Sequence, residues 1–182
     1  MKTDRRDNAM RSLLRAFVDA SGAPLMIATL HKARRRELID MYLAYQPRNS
    51  FSGLPPIKDA VCVRWVEKMI ATGISLVALA LDRGVVGHVA LFPIDPAACE
   101  LFAVVSPPCQ DRGIGTELIR CSIGVARELG FTTIRLTVES SNYVARHVYE
   151  KCGFQYLTSE LSGDLDMALD LQRQAGAVDA VR

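Results

Sequence analysis

A glycine-bearing turn, Gln110-Asp111-Arg112-Gly113-Ile114-Gly115, is the part of the chain whose residue types point most directly to chemistry. It follows a strand-like run, Glu100 to Val105, which ends before Pro107 because proline lacks the N–H that a sheet requires. A helical pattern opens at about Gly115. Two glycines at a helix entrance leave main-chain N–H groups uncovered, and these groups and the helix dipole attract anions. The segment from Gln110 to Thr116 is therefore predicted to bind a phosphate or pyrophosphate through its main chain.

A second strand-to-helix unit comes later in the chain. Apolar and polar residues alternate from Thr133 to Val138, which predicts a strand, and residues 143–152 follow a helical pattern. Asn142, Ala145 and Tyr149 fall at i, i+3 and i+7, so they share one face of this helix. An amide, a small residue and a hydroxyl on one face suit a thin, amide-bearing molecule. The alternative is a helix cap at Asn142 and a core aromatic at Tyr149.

These motifs occur in a fixed order. Taken together they resemble the GNAT superfamily of acyl-CoA-dependent N-acyltransferases, and the resemblance extends from Glu100 to about Tyr156. It rests on Val105-x-Pro107-x-x-Gln110-x-x-Gly113-x-Gly115, then Asn142-x-x-Ala145, Tyr149-Glu150-Lys151 and Gly153-Phe154. The resemblance implies that acetyl-CoA is the acyl-donor substrate and that an amine attacks it directly.

The resemblance also implies roles for individual residues. Tyr149 matches the tyrosine that commonly protonates the departing thiolate, and a phenol of ordinary pKa near 10 remains protonated at neutral pH. A main-chain N–H of Val104 or Val105 is expected to polarise the carbonyl. The expected cofactor-binding set is Val104, Val105, Gln110, Asp111, Arg112, Gly113, Ile114, Gly115, Thr116, Asn142, Ala145 and Tyr149.

The general base and the acceptor site are less directly marked by the sequence. Glu100, at the start of its strand, is the first candidate for the base, and Glu139, at the end of the next strand, is the second. In the family, the loop between the two helices that follow the first strand lines the acceptor side. In this chain that loop carries Arg48 and Phe51, which are the expected substrate-binding residues.

Composition excludes several classes of protein. The chain has 182 residues, of which 49% are hydrophobic, and its 22 basic and 20 acidic residues give a formal net charge of +2. This balance offers no electrostatic case for a nucleic acid or membrane partner, and no apolar run approaches the roughly 18 to 20 residues that span a bilayer. The 5 cysteines form no C-x-x-C pair, and no residues have metal-ligand spacing. We expect a cytoplasmic protein without a metal site.

The predicted elements divide the chain into three parts. An apolar stripe (Met10, Leu13, Leu14, Phe17, Val18) predicts an N-terminal amphipathic helical extension over residues 1–22. The acetyltransferase-like domain is expected over 23–172, with a polar tail over 173–182. Its element order predicts an α/β (α+β) fold with a mixed, mostly antiparallel single sheet. By resemblance, a central splayed parallel strand pair, flanked by helices, holds the acyl-CoA.

Two other functions compete with N-acetyl transfer. A non-catalytic acyl-CoA-binding sensor or interaction module would need the glycine turn but not Tyr149. A nucleotide-binding regulator fits less well, because the turn lacks the Lys-Ser/Thr ending of a P-loop. The sequence leaves open whether the acceptor is a small-molecule amine or a peptide or protein amine, and whether the protein is a monomer or a homodimer.

Overall fold

The computed structural model describes residues 14–48, 54–157 and 163–172. Within these ranges the chain forms one eight-stranded sheet with helices on both faces. The strands are β1 (Leu14–Val18), β2 (Pro24–Thr29), β3 (Ile74–Ala80), β4 (Gly84–Pro93), β5 (Ala98–Val105), β6 (Thr133–Glu139), β7 (Gln155–Tyr156) and β8 (Asp164–Asp170). The helices are α1 (Arg35–Leu43), α2 (Asp59–Thr72), α3 (Ile114–Glu128) and α4 (Tyr143–Lys151), with short 3-10 turns at Lys32–Arg34 and Pro107–Cys109.

The sheet is antiparallel except at its centre. The strand order is β1-β2-β3-β4-β5-β6-β8-β7, and β5 and β6 are the parallel neighbours. Their pairing covers only Ala98 to Glu100 against Thr133 to Arg135, although both strands continue well beyond those residues. The two strands therefore separate towards their carboxyl ends. This confirms the predicted mixed sheet with a splayed parallel pair.

Two hydrophobic clusters pack on opposite faces of the sheet. One contains α3 and α4, with residues such as Ile114, Leu118 and Tyr149. The other contains α1 and α2 and includes Tyr42 and Val66. Because side chains alternate along a strand, β5 directs its odd-numbered residues to the α3/α4 face and its even-numbered residues to the α1/α2 face. The central strand thus contributes side chains to both clusters.

The predicted N-terminal helix is wrong where the structure describes it. Leu14 to Val18 form strand β1, which pairs antiparallel with β2 from Leu14↔Ala28 to Val18↔Pro24. A stripe of five apolar positions is too short to separate a helical period from an extended edge strand. The hairpin turn decides the outcome, because Asp19 accepts hydrogen bonds from the N–H groups of Ser21 and Ala23. Residues 14–18 therefore add an edge strand to the sheet and residues 19–22 form its turn, while Met10, Leu13 and the tail at 173–182 lie outside the described residues.

The predicted strands at Glu100–Val105 and Thr133–Val138, and the predicted helices from about Gly115 and over 143–152, agree with β5, β6, α3 and α4 to within two residues. The hairpin at Asp82-Arg83-Gly84 joins β3 and β4, and the C-terminal hairpin pairs β7 with β8. Among the described helices, none is long and apolar enough to cross a membrane.

Candidate active site

A cleft of about 930 Å³ opens where β5 and β6 separate. Its walls come from both faces of the sheet. The first wall, called here the α3/α4 half, comprises the glycine turn at residues 110–116 and the inward face of α4. The second wall, the α1/α2 half, comprises Tyr45, Leu54, Trp65, Met69, Phe92 and Phe102. The gap between the two strands therefore connects two chemically different surfaces.

The glycine turn presents a run of main-chain donors. Asp111 and Gly113 both have left-handed backbone angles, with φ of 58° and 81°, and α3 begins directly after Gly113. Within the described part of the chain, the N–H groups from Asp111 to Thr116 donate to no protein acceptor, and the first helical bond runs from Glu117 to the Gly113 carbonyl (3.1 Å). Successive unpaired N–H groups at a helix N-terminus form an anion-binding concavity. The turn has the geometry that the sequence predicted.

The β1–β2 hairpin supports this turn. The N–H of Ala20 donates to the Arg112 carbonyl oxygen (3.1 Å), which fixes the turn from outside the cleft. The Arg112 guanidinium donates to the Pro108 carbonyl (2.9 Å) and lies 3.9 Å from a carboxylate oxygen of Asp19. Arg112 belongs to the expected cofactor-binding set, but its side chain is directed to these partners and does not line the cleft. The β1–β2 hairpin, whose first strand was predicted to belong to a separate N-terminal extension, thus holds the glycine turn in position.

Gln110 links the two halves of the cleft. Its side-chain amide donates to the Val105 carbonyl (3.0 Å) and to the Tyr45 hydroxyl (3.4 Å). Tyr45 belongs to the α1/α2 half, whereas Gln110 begins the glycine turn. The link joins residues 65 positions apart in the chain, so no local sequence pattern could have revealed it.

The strand register indicates which main-chain amides of β5 face the gap. The N–H of Ser106 donates to the Val86 carbonyl on β4. Val104 lies two residues before Ser106 and is opposite His88 of β4. In an antiparallel pair, alternate residues direct their N–H groups to the partner strand. Val104 therefore directs its N–H to β4, while Val105 and Ala103 direct theirs towards the gap. The sequence offered Val104 and Val105 equally, and the register favours Val105.

The helix α4 carries the three residues that were predicted to share one face, Asn142, Ala145 and Tyr149. The Asn142 side-chain oxygen accepts from the Ala145 N–H (3.1 Å), so Asn142 is a helix cap and also lines the cleft. Ala145 and Tyr149 line the same wall. Burial raises the pKa of Tyr149 to about 12, so its hydroxyl stays protonated throughout the neutral range. Tyr149 is both a core aromatic, packed at 5.7 Å on Phe154, and part of the cleft wall.

Three carboxylates border the α1/α2 half. Glu100, Glu139 and Asp164 all line the cleft, and they lie on three neighbouring strands, β5, β6 and β8. Glu139 accepts a long hydrogen bond from the Ser141 hydroxyl (3.5 Å). Both candidate bases are therefore at the cleft, on the side of the sheet opposite Tyr149.

Of the expected substrate-binding residues, Arg48 does not line the cleft. Its guanidinium is 2.8 Å from Asp59 at the start of α2 and 3.5 Å from the Pro56 carbonyl. The nearby carboxylate raises the pKa of Arg48, so this side chain is committed to a structural ion pair. The second expected residue, Phe51, lies outside the described residues.

Beneath the α1/α2 half, His88 and Tyr42 form a buried pair. Tyr42 Oη and His88 Nδ1 are 2.7 Å apart, and His88 Nε2 has no hydrogen-bond partner in the described part of the protein. Burial lowers the pKa of His88 to about 3 and raises that of Tyr42 well above its usual value. Both groups are therefore neutral at physiological pH. Over residues 14–48, 54–157 and 163–172, no cluster of His, Cys, Asp and Glu has the arrangement of a metal site.

Comparison with known families agrees with this geometry. Residues 38–154 match the family model described as the acetyltransferase (GNAT) family. The match includes the glycine turn, both splayed strands and α4. The chain belongs to the acetyltransferase (GNAT) family.

Curated relatives match over short stretches. The chain is 38% identical over 61 residues to mycothiol acetyltransferase of Rhodococcus erythropolis, covering 33% of this chain and 20% of that protein. It is 36% identical over 78 residues to the probable N-acetyltransferase camello of Xenopus laevis, covering 41% of this chain and 36% of that protein. The chain thus matches only a minor part of the length of either relative.

Solved structures share the fold at low sequence identity. The GNAT domain of S. lividans PAT superimposes with a TM-score of 0.74 at 16% identity, covering 87% of this chain and 97% of that one. The yncA protein of Salmonella typhimurium, solved with its cofactor acetyl-CoA, gives 0.64 at 19% identity, with 81% and 94% covered. The spermidine/spermine N-acetyltransferase SpeG of Vibrio cholerae gives 0.64 at 18% identity, with 85% and 98% covered. At these identities the likeness establishes the fold.

Proposed function

We propose that the protein is an N-acetyltransferase that moves an acetyl group from acetyl-CoA to a primary amine by direct attack. The observation that carries this proposal is the run of unpartnered main-chain N–H groups from Asp111 to Thr116 beside the gap between β5 and β6. A diphosphate supplies the negative charge and the acceptor oxygens that such a run requires. The likeness to yncA, which was solved with acetyl-CoA, supports the same donor.

The unpaired edge of β5 suits the pantetheine arm of the donor. The main-chain groups of Ala103 and Val105 face the gap, and no strand partner bonds to them in the described register. An arm with two amides can pair with such an edge as a short strand would. The Val105 N–H then lies close to the thioester carbonyl, where a fixed donor stabilises the negative charge that develops on oxygen during attack.

Tyr149 and the carboxylates handle the protons. Tyr149 donates a hydrogen bond to the departing sulfur, which its pKa of about 12 permits because the hydroxyl is fully protonated at neutral pH. The incoming ammonium must lose a proton before it attacks. We infer that Glu100 or Glu139 accepts that proton, since both carboxylates line the cleft on the acceptor side.

The test combines donor binding with turnover. Purified protein is titrated with coenzyme A by calorimetry, then mixed with acetyl-CoA and a panel of primary amines while free thiol and acetylated product are measured. The proposal expects saturable coenzyme A binding and thiol release that depends on an amine. Binding without amine-dependent release would instead identify a non-catalytic acyl-CoA-binding module. A cytoplasmic location and a monomeric or homodimeric state remain predictions.

A further inference from the structure

The α1/α2 half of the cleft indicates the chemical class of the acceptor. We infer that the acceptor is a primary amine carried on an aromatic or similarly bulky apolar group, with a single positive charge. This inference rests on the proposed function, because it names the substrate of the same site. It concerns what the α1/α2 half binds, so it can be tested separately from turnover.

The apolar wall is built from aromatic side chains that hold one another in place. Phe102 and Trp65 pack edge-to-face with their ring centres 5.6 Å apart, and Trp65 packs in the same way on the buried Tyr42 at 5.5 Å. Phe102 and Trp65 line the cleft and are only partly buried, whereas Tyr42 is fully buried behind them. A preformed aromatic wall with a free face favours a flat apolar group over a polar one.

The negative charge of a carboxylate lies next to this aromatic wall. Glu100 is opposite Phe92 in the β4–β5 register and two positions before Phe102 on the same face of β5. Its carboxylate therefore borders the aromatic surface at the point where β5 and β6 begin to separate. An ammonium bound by Glu100 would direct the carbon skeleton that carries it onto Phe92 and Phe102.

The same surroundings disfavour a polyamine. A second ammonium that followed the carbon skeleton onto the apolar wall would be buried there as an unpaired charge, which is costly. Glu139 and Asp164 line the cleft from β6 and β8, across the gap from the aromatic rings of α2, β4 and β5, so they do not neutralise a charge held on this wall. The arrangement accommodates one positive head and one apolar body.

The experiment measures binding and turnover separately. With coenzyme A saturating, calorimetry compares 2-phenylethylamine, n-butylamine, spermidine and 2-phenylethanol, while thiol release from acetyl-CoA is followed in parallel. We expect 2-phenylethylamine to bind roughly 10- to 100-fold more tightly than n-butylamine, as burial of an aromatic ring implies. We also expect it to bind more tightly than 2-phenylethanol, which lacks the charge. In Trp65→Ala, the advantage over n-butylamine should fall to a few-fold, while coenzyme A affinity is kept.

Each alternative result has a definite meaning. Tighter binding of spermidine than of 2-phenylethylamine, or equal binding of 2-phenylethylamine and n-butylamine, would overturn the inference. Equal binding of 2-phenylethanol and 2-phenylethylamine would overturn the role of the carboxylates and with it the proposed class. If the aromatic amine binds as expected and no thiol is released, the acceptor class stands and the proposed transferase activity fails.

Two further variants distinguish a loss of the aromatic wall from unfolding of the protein. Tyr143→Ala removes an exposed aromatic ring that lies outside the cleft lining, so binding of 2-phenylethylamine should not change. If Trp65→Ala does not fold, Phe102→Leu keeps a large apolar side chain at this position and removes the ring that faces the cleft. This variant should also lose most of the aromatic preference, and an undiminished preference in it would contradict the inference.

Discussion

The two halves of the cleft differ in which atoms face the cavity. The α3/α4 half presents main-chain N–H groups, small residues and one phenol, whereas the α1/α2 half presents aromatic rings bordered by carboxylates. Main-chain donors depend on backbone angles, so they stay in place whichever side chains allow the turn to fold. Side-chain surfaces can change by substitution without altering the turn. One half is therefore suited to a constant ligand and the other to a variable one.

This difference predicts two kinds of mutational response. Changes in the α3/α4 half should affect acetyl-CoA binding or the chemical step for every amine. Changes in the α1/α2 half should affect some amines more than others. Tyr149 lies in the first half, and its substitution is expected to have the largest effect on the rate.

The variant Tyr149→Phe should lower kcat by about 10²–10⁴-fold, the usual contribution of a positioned proton donor. The ring that packs on Phe154 is kept, so folding and coenzyme A affinity should change little. Steady-state kinetics and calorimetry check the two expectations. Tyr143→Phe, on the same helix but exposed, is the matched control and should behave as wild type. A normal kcat in Tyr149→Phe would remove this residue from the mechanism.

The variant Gly115→Val tests the main-chain donors. A Cβ at Gly115 would lie 3.6 Å from Val105 Cγ2, an ordinary contact, so the fold should tolerate it while the branched side chain extends over the turn. Losing one charge-assisted hydrogen bond, about 1.5–3 kcal/mol, corresponds to a rise in KM for acetyl-CoA of roughly 10- to 150-fold. Gly124→Ala, later in the same helix and with open space around its Cβ, is the control. Unchanged coenzyme A affinity in Gly115→Val would contradict the proposed binding mode.

The same difference explains what the sequence could predict. The glycine turn is a local feature, since the φ of 81° at Gly113 and the helix that follows depend on adjacent residues. The periods of β6 and α4 are also local, and the structure has both elements close to their predicted positions. The family resemblance added the splayed strand pair, which no local pattern specifies.

The α1/α2 half could not be predicted in the same way. Its aromatic wall combines α2, β4 and β5, and the spacing of these residues in the chain carries no common signal. Arg48 was predicted to bind the substrate because it lies in the loop expected to line the acceptor side. Its guanidinium instead forms an ion pair with Asp59, which no local sequence pattern reveals. The helix predicted at the N-terminus failed because β1 is a short edge strand whose pairing depends on a turn held by Asp19.

The buried His88 predicts that stability falls in acid. Its pKa is about 3 in the folded protein and about 6.5 when unfolded, so below pH 6.5 only the unfolded chain takes up the proton. Each pH unit between these values should cost about 1.4 kcal/mol of unfolding free energy. Chemical denaturation at several pH values should show this slope in wild type and lose it in His88→Gln. His147→Gln, which changes an exposed histidine on α4, should keep the slope.

The smallest expected effect tests whether the β1–β2 hairpin supports the glycine turn. Asp19→Ala removes the carboxylate that organises the hairpin through Ser21 and Ala23, and so loosens the Ala20 N–H that holds the Arg112 carbonyl. Loss of about one neutral hydrogen bond, about 0.5–1.5 kcal/mol, predicts a rise of roughly 2- to 10-fold in KM for acetyl-CoA. The preference among amines should not change, because the α1/α2 half is untouched. Asp95→Ala is the matched control, since Asp95 accepts from Ala97 and Ala98 in a comparable turn that does not line the cleft. If both variants raise KM equally, the effect reflects general loosening of the sheet, and the hairpin has no specific role in donor binding.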